Sequence, residues 1–336
     1  MAVRNGLLYL PSSAPADEWY DQRLERCGLF RWRAPAFRAA SSDAPSCFRS
    51  GVRGSPGALV PSRFTGTVAG VHAGVLNIDA GGYFVSLLKD PRDRTALSVL
   101  VHREGSEPLW APGPDRSGPV QPGASVEGSP THLDVTGAGR IHYDPRVPRF
   151  SGFLANARGI AASHPARLTE RCRDVLEQLE SCPDDHRGFV PLILSRPAGT
   201  DPFVERARRI LTEAVREGRP RLDLSRLVGL GPGFTPAGDD FLAGVMLAEK
   251  FLGDYHCPVR LDREAVRAAL ARTTTGGATL LRLALAGRPP LVAHRIYAIM
   301  DRSDATAGAI RAARRYGHSS GLDLLAGFLW LGTLDR

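Results

Sequence analysis

Asp239 and Asp240 stand side by side in GLGPGFTPAGDDFLAG, residues 229–244, behind the alternating Gly229, Gly231 and Gly233 and the pair Thr235-Pro236. A carboxyl group can carry a proton to or from a reacting atom, and the N-terminus of a helix favours a bound anion. Thr235 reads as an N-cap and Pro236 as the first helical residue, with the helix running to Gly253. The macrodipole accounts for one acidic residue in the first turn, at about 0.3–1 kcal/mol. It does not account for the glycines, which free the backbone for positive φ and let a ligand approach closely. The stretch is no phosphate-binding Walker loop, because it lacks the Gly-Lys-Ser/Thr ending. It is no dinucleotide fingerprint either, because no clear strand precedes it.

A second stretch, YGHSSGLDLLAGFLWLG at residues 316–332, repeats the pattern. Gly238, Asp240, Leu242, Ala243 and Gly244 fall in register with Gly321, Asp323, Leu325, Ala326 and Gly327. Ser320 and Asp323 read as a capping box. Between the two lies RTTTGG, residues 272–277, a helix junction rich in hydroxyls. If the two helix starts converge, they form one anion pocket. Asp239, Asp240 and His318 are then the acid–base candidates. Gly231, Gly233, Thr235, Gly238, Thr273, Thr274, Ser319, Ser320, Gly321 and Asp323 are the substrate-binding candidates. The same pattern also reads as a packing repeat, with glycine at a helix crossing and aspartate as cap. No metal-ligand spacing such as His-Glu-x-x-His occurs and no cofactor is required, although paired carboxylates can hold Mg²⁺ through an anionic substrate.

The elements that position these residues divide the chain into an α+β arrangement. Residues 1–60 read as a poorly ordered arm rich in Arg, Ser, Pro and Ala, of which the part before residue 55 is expected to be dispensable for the core. Residues 61–148 alternate apolar and polar side chains between Gly-rich turns, which predicts a small antiparallel β-barrel or sandwich. Within them, residues 111–130 read as a turn-rich connection. Residues 149–336 turn mainly α-helical and carry the Gly/Asp motifs. Asp201 as N-cap, Pro202 and a stop at Gly218 bracket a strong helix there.

Composition narrows the function classes. The chain of 336 residues carries a formal charge of +8, nearly all from arginine. It shows neither a basic block nor basic–aromatic alternation, so a small anionic substrate or an acidic partner fits better than nucleic acid. Five cysteines without a Cys-x-x-Cys pair fit a reducing cytoplasm. The sequence offers neither a signal peptide nor a membrane-spanning run.

GLGPGFTPAGDDFLAG, RTTTGG and GHSSGLDLLAG, in this order, resemble a bacterial family that includes the AllH-type subunit of oxamate carbamoyltransferase. GTVAGVHAGVLNI in the β-rich half also looks like that family, so the resemblance spans residues 60–335. The chain departs from it at Gly277, where a serine is expected, and at Leu322, where an aromatic residue is common. The resemblance implies phosphorolysis of oxalurate to oxamate and carbamoyl phosphate, or its reverse, in an oligomer with partner subunits. It leaves open a non-catalytic assembly or regulatory subunit, and a biosynthetic enzyme recruited from the same fold.

Overall fold

The computed structural model describes residues 3–4, 7–8, 52–102, 110, 119–154, 165–194, 201–218, 221–253, 259–301 and 306–334. Most of the arm expected at residues 1–60 therefore lies outside the described residues. Its last part does not behave as an arm. Val52, Leu59 and Val60 are buried, and β3 (Arg53–Pro56) is a barrel strand. Short pairs β1 (Val3–Arg4) and β2 (Leu7–Leu8) form a separate antiparallel ribbon.

The barrel is built from β3, β4 (Phe64–Val71), β5 (Val75–Asp79), β6 (Phe84–Leu88), β7 (Ser98–His102), β8 (Ser125–Gly128), β9 (His132–Val135) and β10 (Gly139–Tyr143). It closes in the order β10-β3-β7-β6-β5-β4-β8-β9. The alternation read from the sequence is real: Leu76, Ile78, Val85, Leu87, Val99, Leu133 and Ile141 point inward and are fully buried. The sheet is mixed, however, not purely antiparallel. β6 pairs with β7 in parallel and β10 pairs with β3 in parallel. Part of the expected connection is also strand, because β8 fits inside residues 111–130.

The second half is helical: α1 (Pro165–Glu180), α2 (Val190–Ile193), α3 (Pro202–Arg216), α4 (Ala237–Gly253), α5 (Arg263–Ala269), α6 (Thr275–Leu285), α7 (Leu291–Asp301), α8 (Thr306–Arg314) and α9 (Ser320–Thr333). A two-residue parallel pair, β11 (Arg221–Leu222) with β12 (Arg260–Leu261), is its only strand pairing among the described residues. Asp201 caps α3 by accepting from the Phe203 and Val204 amides, and Gly218 follows it at φ +60°. α4 and α9 are apolar on every side and form the centre of this half, as helices without a polar face must. Among the described residues, no helix is long and apolar enough to cross a membrane.

The two halves meet on α6. Arg282 donates to the Gly82 carbonyl at 2.8 Å, and the Phe84 amide donates to the Thr279 hydroxyl at 3.1 Å. Phe84 also packs its ring on Phe234, with centroids 4.7 Å apart. The barrel thereby braces the glycine-rich loop that precedes α4.

Candidate functional site

The glycine-rich loop takes the backbone its sequence allows. Gly229, Gly231 and Gly233 have φ of +78°, +111° and +109°, a region that is costly for other residues. α4 starts one residue later than expected. The Pro236 carbonyl accepts from the Asp239 amide at 2.9 Å and from the Asp240 amide at 3.2 Å, so Pro236 holds the cap position. Thr235 is consequently not the side-chain cap. Its hydroxyl donates to Asp240 Oδ2 at 3.0 Å and lies 3.1 Å from the Ser320 hydroxyl. That last contact joins the beginnings of α4 and α9, which therefore run side by side from a common end.

Two glycines make the approach possible. A Cβ on Gly244 would strike the Leu324 carbonyl, and a Cβ on Gly327 would strike the Phe241 carbonyl. Gly244 and Phe241 occupy the same repeat positions as Gly327 and Leu324, so the helices are related by a local pseudo-twofold. Gly238 and Gly321 follow the same rule against the Leu227 and Ala313 carbonyls. These last two are buried packing positions rather than surface available to a ligand.

The aspartates sit below this surface. Asp239, Asp240 and Asp323 are at most 1% exposed. Asp239 accepts from the Gly229 amide at 2.9 Å and from the Thr273 hydroxyl, tying the glycine loop to the threonine junction. Asp323 accepts from the Phe189 amide at 2.6 Å. Asp240 Oδ1 and Asp323 Oδ2 are buried without a hydrogen-bond partner. Burial raises Asp239 despite the Thr273 and Gly229 hydrogen bonds. Burial, then the neighbouring Asp323 charge, raises Asp240 well above the usual carboxylate range, against the Ser320 and Thr235 hydroxyls. Burial pushes Asp323 up to about 7, against the Phe189 amide and the Ser319 hydroxyl. The start of each helix offers partial positive charge as compensation.

The capping box expected of Ser320 and Asp323 does not form. Ser319 holds the cap position of α9, its carbonyl accepting from the Asp323 amide at 2.9 Å, and its side chain makes no capping bond. His318 is exposed in the turn before it and makes no hydrogen bond among the described residues. Thr274 is a true cap, accepting from the Gly277 amide at 2.9 Å, and it also donates to the Phe234 carbonyl at 2.6 Å. The structure thus joins Thr235, Asp240, Ser320 and Asp323 in one cluster, and Asp239, Gly229 and Thr273 in an adjoining one. Around them, Gly233, Phe234 and Thr274 are exposed, and Gly231, Ser319 and Ser320 are half-buried.

One wall was missed. Gly188 packs so tightly on the Asp323 carboxylate that a Cβ there would overlap it, and φ of +54° reserves the position for glycine. Asp185, just before it, is locked to Arg314 at the end of α8. The Gly188-Phe189 pair resembles an ordinary turn in sequence; no local signal ties it to a residue at position 323. Among the described residues, no group of three or more His, Cys, Asp or Glu side chains is placed to hold a metal ion.

Chemically, the cluster is a hydrogen-bonded path from the half-buried Ser320 hydroxyl through Thr235 to a buried acid. It can hold an oxyanion against two helix starts and move a proton beneath it.

Residues 227–332 match the family described as oxamate carbamoyltransferase subunit AllH, which bears out the resemblance over both motifs and the threonine junction. No solved structure matches the chain.

Proposed function

We propose that the chain is a subunit of a carbamoyl-transferring enzyme, and that a small anion such as carbamoyl phosphate or oxamate rests over the joined starts of α4 and α9. The observation that carries this reading is the 3.1 Å contact between Thr235 and Ser320, which brings two separate motifs of the matched segment to one place. The Thr235, Ser319 and Ser320 hydroxyls hold the anion, and the two helix ends add partial positive charge. In the transfer, the amide nitrogen of oxamate bonds to the carbamoyl carbon, the carbon–oxygen bond to phosphate breaks, and the nitrogen gives up a proton. Asp240 exchanges that proton through Thr235 and Ser320, with His318 at the rim as a second acid–base group. Asp239 positions the glycine loop. Partner subunits complete the site, and the reading requires no cofactor.

Calorimetric titration of the assembled complex with carbamoyl phosphate, phosphate and oxamate tests this. Thr235→Val and Ser320→Ala are expected to weaken anion binding about tenfold each while the protein still melts cooperatively. Equal binding by wild type and both variants would sink the proposal.

A second reading, a non-catalytic assembly subunit, is favoured by the near-complete burial of Asp239, Asp240 and Asp323 and by their ties to the loops. Under it, Thr235→Val and Ser320→Ala leave turnover of the complex unchanged.

A further inference from the structure

One turn of the barrel half docks on the helices close to the joined helix starts. It follows β6 as the 3-10 turn Pro91–Asp93, and the Leu291 amide at the start of α7 donates to the Arg94 carbonyl at 2.8 Å. Asp90 is spent inside the turn, accepting from the Arg92 amide at 2.8 Å and pairing with the Arg92 guanidinium. Asp93 is half-buried, and its carboxylate accepts no hydrogen bond among the described residues. Arg295 of α7 is half-buried in the field of Asp90 and Asp93. It nevertheless forms neither an ion pair nor a side-chain hydrogen bond among the described residues.

A third group comes from the turn before α9. The Tyr316 carbonyl accepts from the Gly321 amide at 3.0 Å, which fixes the residue at the helix start that carries Ser320. Tyr316 is half-buried, and its hydroxyl has no hydrogen-bond partner among the described residues. Burial, then the charges of Asp240 and Asp93, raises its pKa, so the hydroxyl stays a donor. Tyr316 thus stands in the field of both the acid beneath the helix starts and the acid of the barrel turn. A carboxylate, a phenol and a guanidinium from separate elements gather here with their side-chain hydrogen bonds unspent. Partial burial of opposite charges that do not touch costs solvation without the gain of contact. A ligand that carries both an N–H donor and an anionic group relieves that cost.

We propose that Asp93, Tyr316 and Arg295 form a second subsite beside the anion site, built for an acid amide such as oxamate. The proposal rests on the carbamoyl-transfer reading above and assigns the two ligands separate places. The Asp93 carboxylate accepts from the amide N–H, the Tyr316 hydroxyl donates to the amide carbonyl, and the Arg295 guanidinium pairs with the ligand carboxylate. The phosphate group stays with Thr235 and Ser320. Burial, then the Asp90 charge, raises Asp93 to about 6, against Arg92 and Arg295. Asp93 is therefore ionised at neutral pH and loses its charge below that value, while Tyr316 does not titrate in this range.

Calorimetric titration of the assembled complex with oxamate, oxalate and phosphate tests the subsite. Oxalate keeps the carboxylate but has no N–H, so wild type is expected to bind oxamate about tenfold tighter at a pH of about 7.5. Asp93→Asn should bring the two ligands to equal affinity, and Tyr316→Phe should weaken oxamate about tenfold. Arg295→Gln should weaken both ligands. The wild-type preference for oxamate should fall as pH drops through about 6, a step that Asp93→Asn lacks. Asp93→Asn should still bind phosphate and keep the wild-type melting temperature within about 3 °C. An oxamate preference that survives Asp93→Asn, or a loss of phosphate binding equal to that of oxamate, would overturn the subsite. In the first case, phosphate binding that still depends on Thr235 and Ser320 leaves the reading above standing. Failure of all three ligands to bind wild type would overturn both.

Discussion

Gly277 stands so close to Asp239 that a Cβ at position 277 would overlap the carboxylate oxygen and the Thr273 hydroxyl bound to it. The serine expected here from the family resemblance would therefore require a different packing beneath the threonine junction. Gly277→Ser is expected to cost about 1–3 kcal/mol by overpacking, read by urea denaturation. A variant as stable as wild type would mean that Asp239 can move aside, and that the tie between the glycine loop and the junction is loose.

Asp239 is predicted to act on stability first. Asp239→Asn keeps an acceptor for the Gly229 amide and lets Thr273 turn its hydroxyl to accept, so it should cost about 1 kcal/mol. Asp239→Ala strands both partners and should cost roughly 2–4 kcal/mol. The ratio between the two, measured in the same denaturation series, separates a hydrogen-bonded tie from a group that merely fills space.

The pseudo-twofold predicts matched losses. Gly244→Ala and Gly327→Ala each force α4 from α9 and should each cost about 1–3 kcal/mol, with the double variant falling short of the sum because both relieve the same contact. Gly74, with open space around its Cα, is the control: Gly74→Ala should be neutral or slightly stabilising. Unequal effects at 244 and 327 would deny the symmetry.

The stability of the fold should fall as pH rises from about 4 to about 7. Asp323 is raised by burial to about 7 in the folded protein, so between its unfolded and folded values the native state holds the extra proton. Its contribution is complete below the lower value and lost above the upper one, a change on the order of 4 kcal/mol at most. Asp240 acts in the same direction. Asp323→Asn keeps the acceptor for the Phe189 amide and should flatten the profile. A wild-type profile that rises across this window, or a slope untouched by the substitution, would show that Asp323 titrates normally.

A chain begun at residue 61 lacks β3 and with it the neighbour of both β7 and β10. It should lose its cooperative melting transition, whereas a chain begun at residue 52 keeps the whole barrel. Circular dichroism of the two decides.

The order of strands and helices was readable where periodicity is long: the alternation of β4 to β6, the capped α3, and the apolar runs of α4 and α9. The meeting of the motifs was readable too, because matching Ala-Gly pairs permit close backbones. What escaped was settled by partners distant in the chain. β3 reads RGSP, a turn by composition, and is a strand only because β7 and β10 flank it. β8 and β9 span four residues each, too few to show a period. Asp239 and Asp240 read as caps or acids, since nothing local reveals that both are sealed beneath the loop. The Gly188-Phe189 wall is set by Asp323 and Phe241, both distant in the chain.

The parallel pairing of β3 with β10 also fixes an order of events during synthesis. Arg53 meets His142, so the first strand of the barrel leaves the ribosome with one ladder edge bare and keeps it bare until the last has emerged. Loop closure over such a span is slow compared with the local hairpins between β4 and β6. For that interval the nascent chain presents an open edge able to pair with any other strand. Conditions that slow elongation between residues 56 and 139 should therefore lower the yield of native protein without altering its final stability.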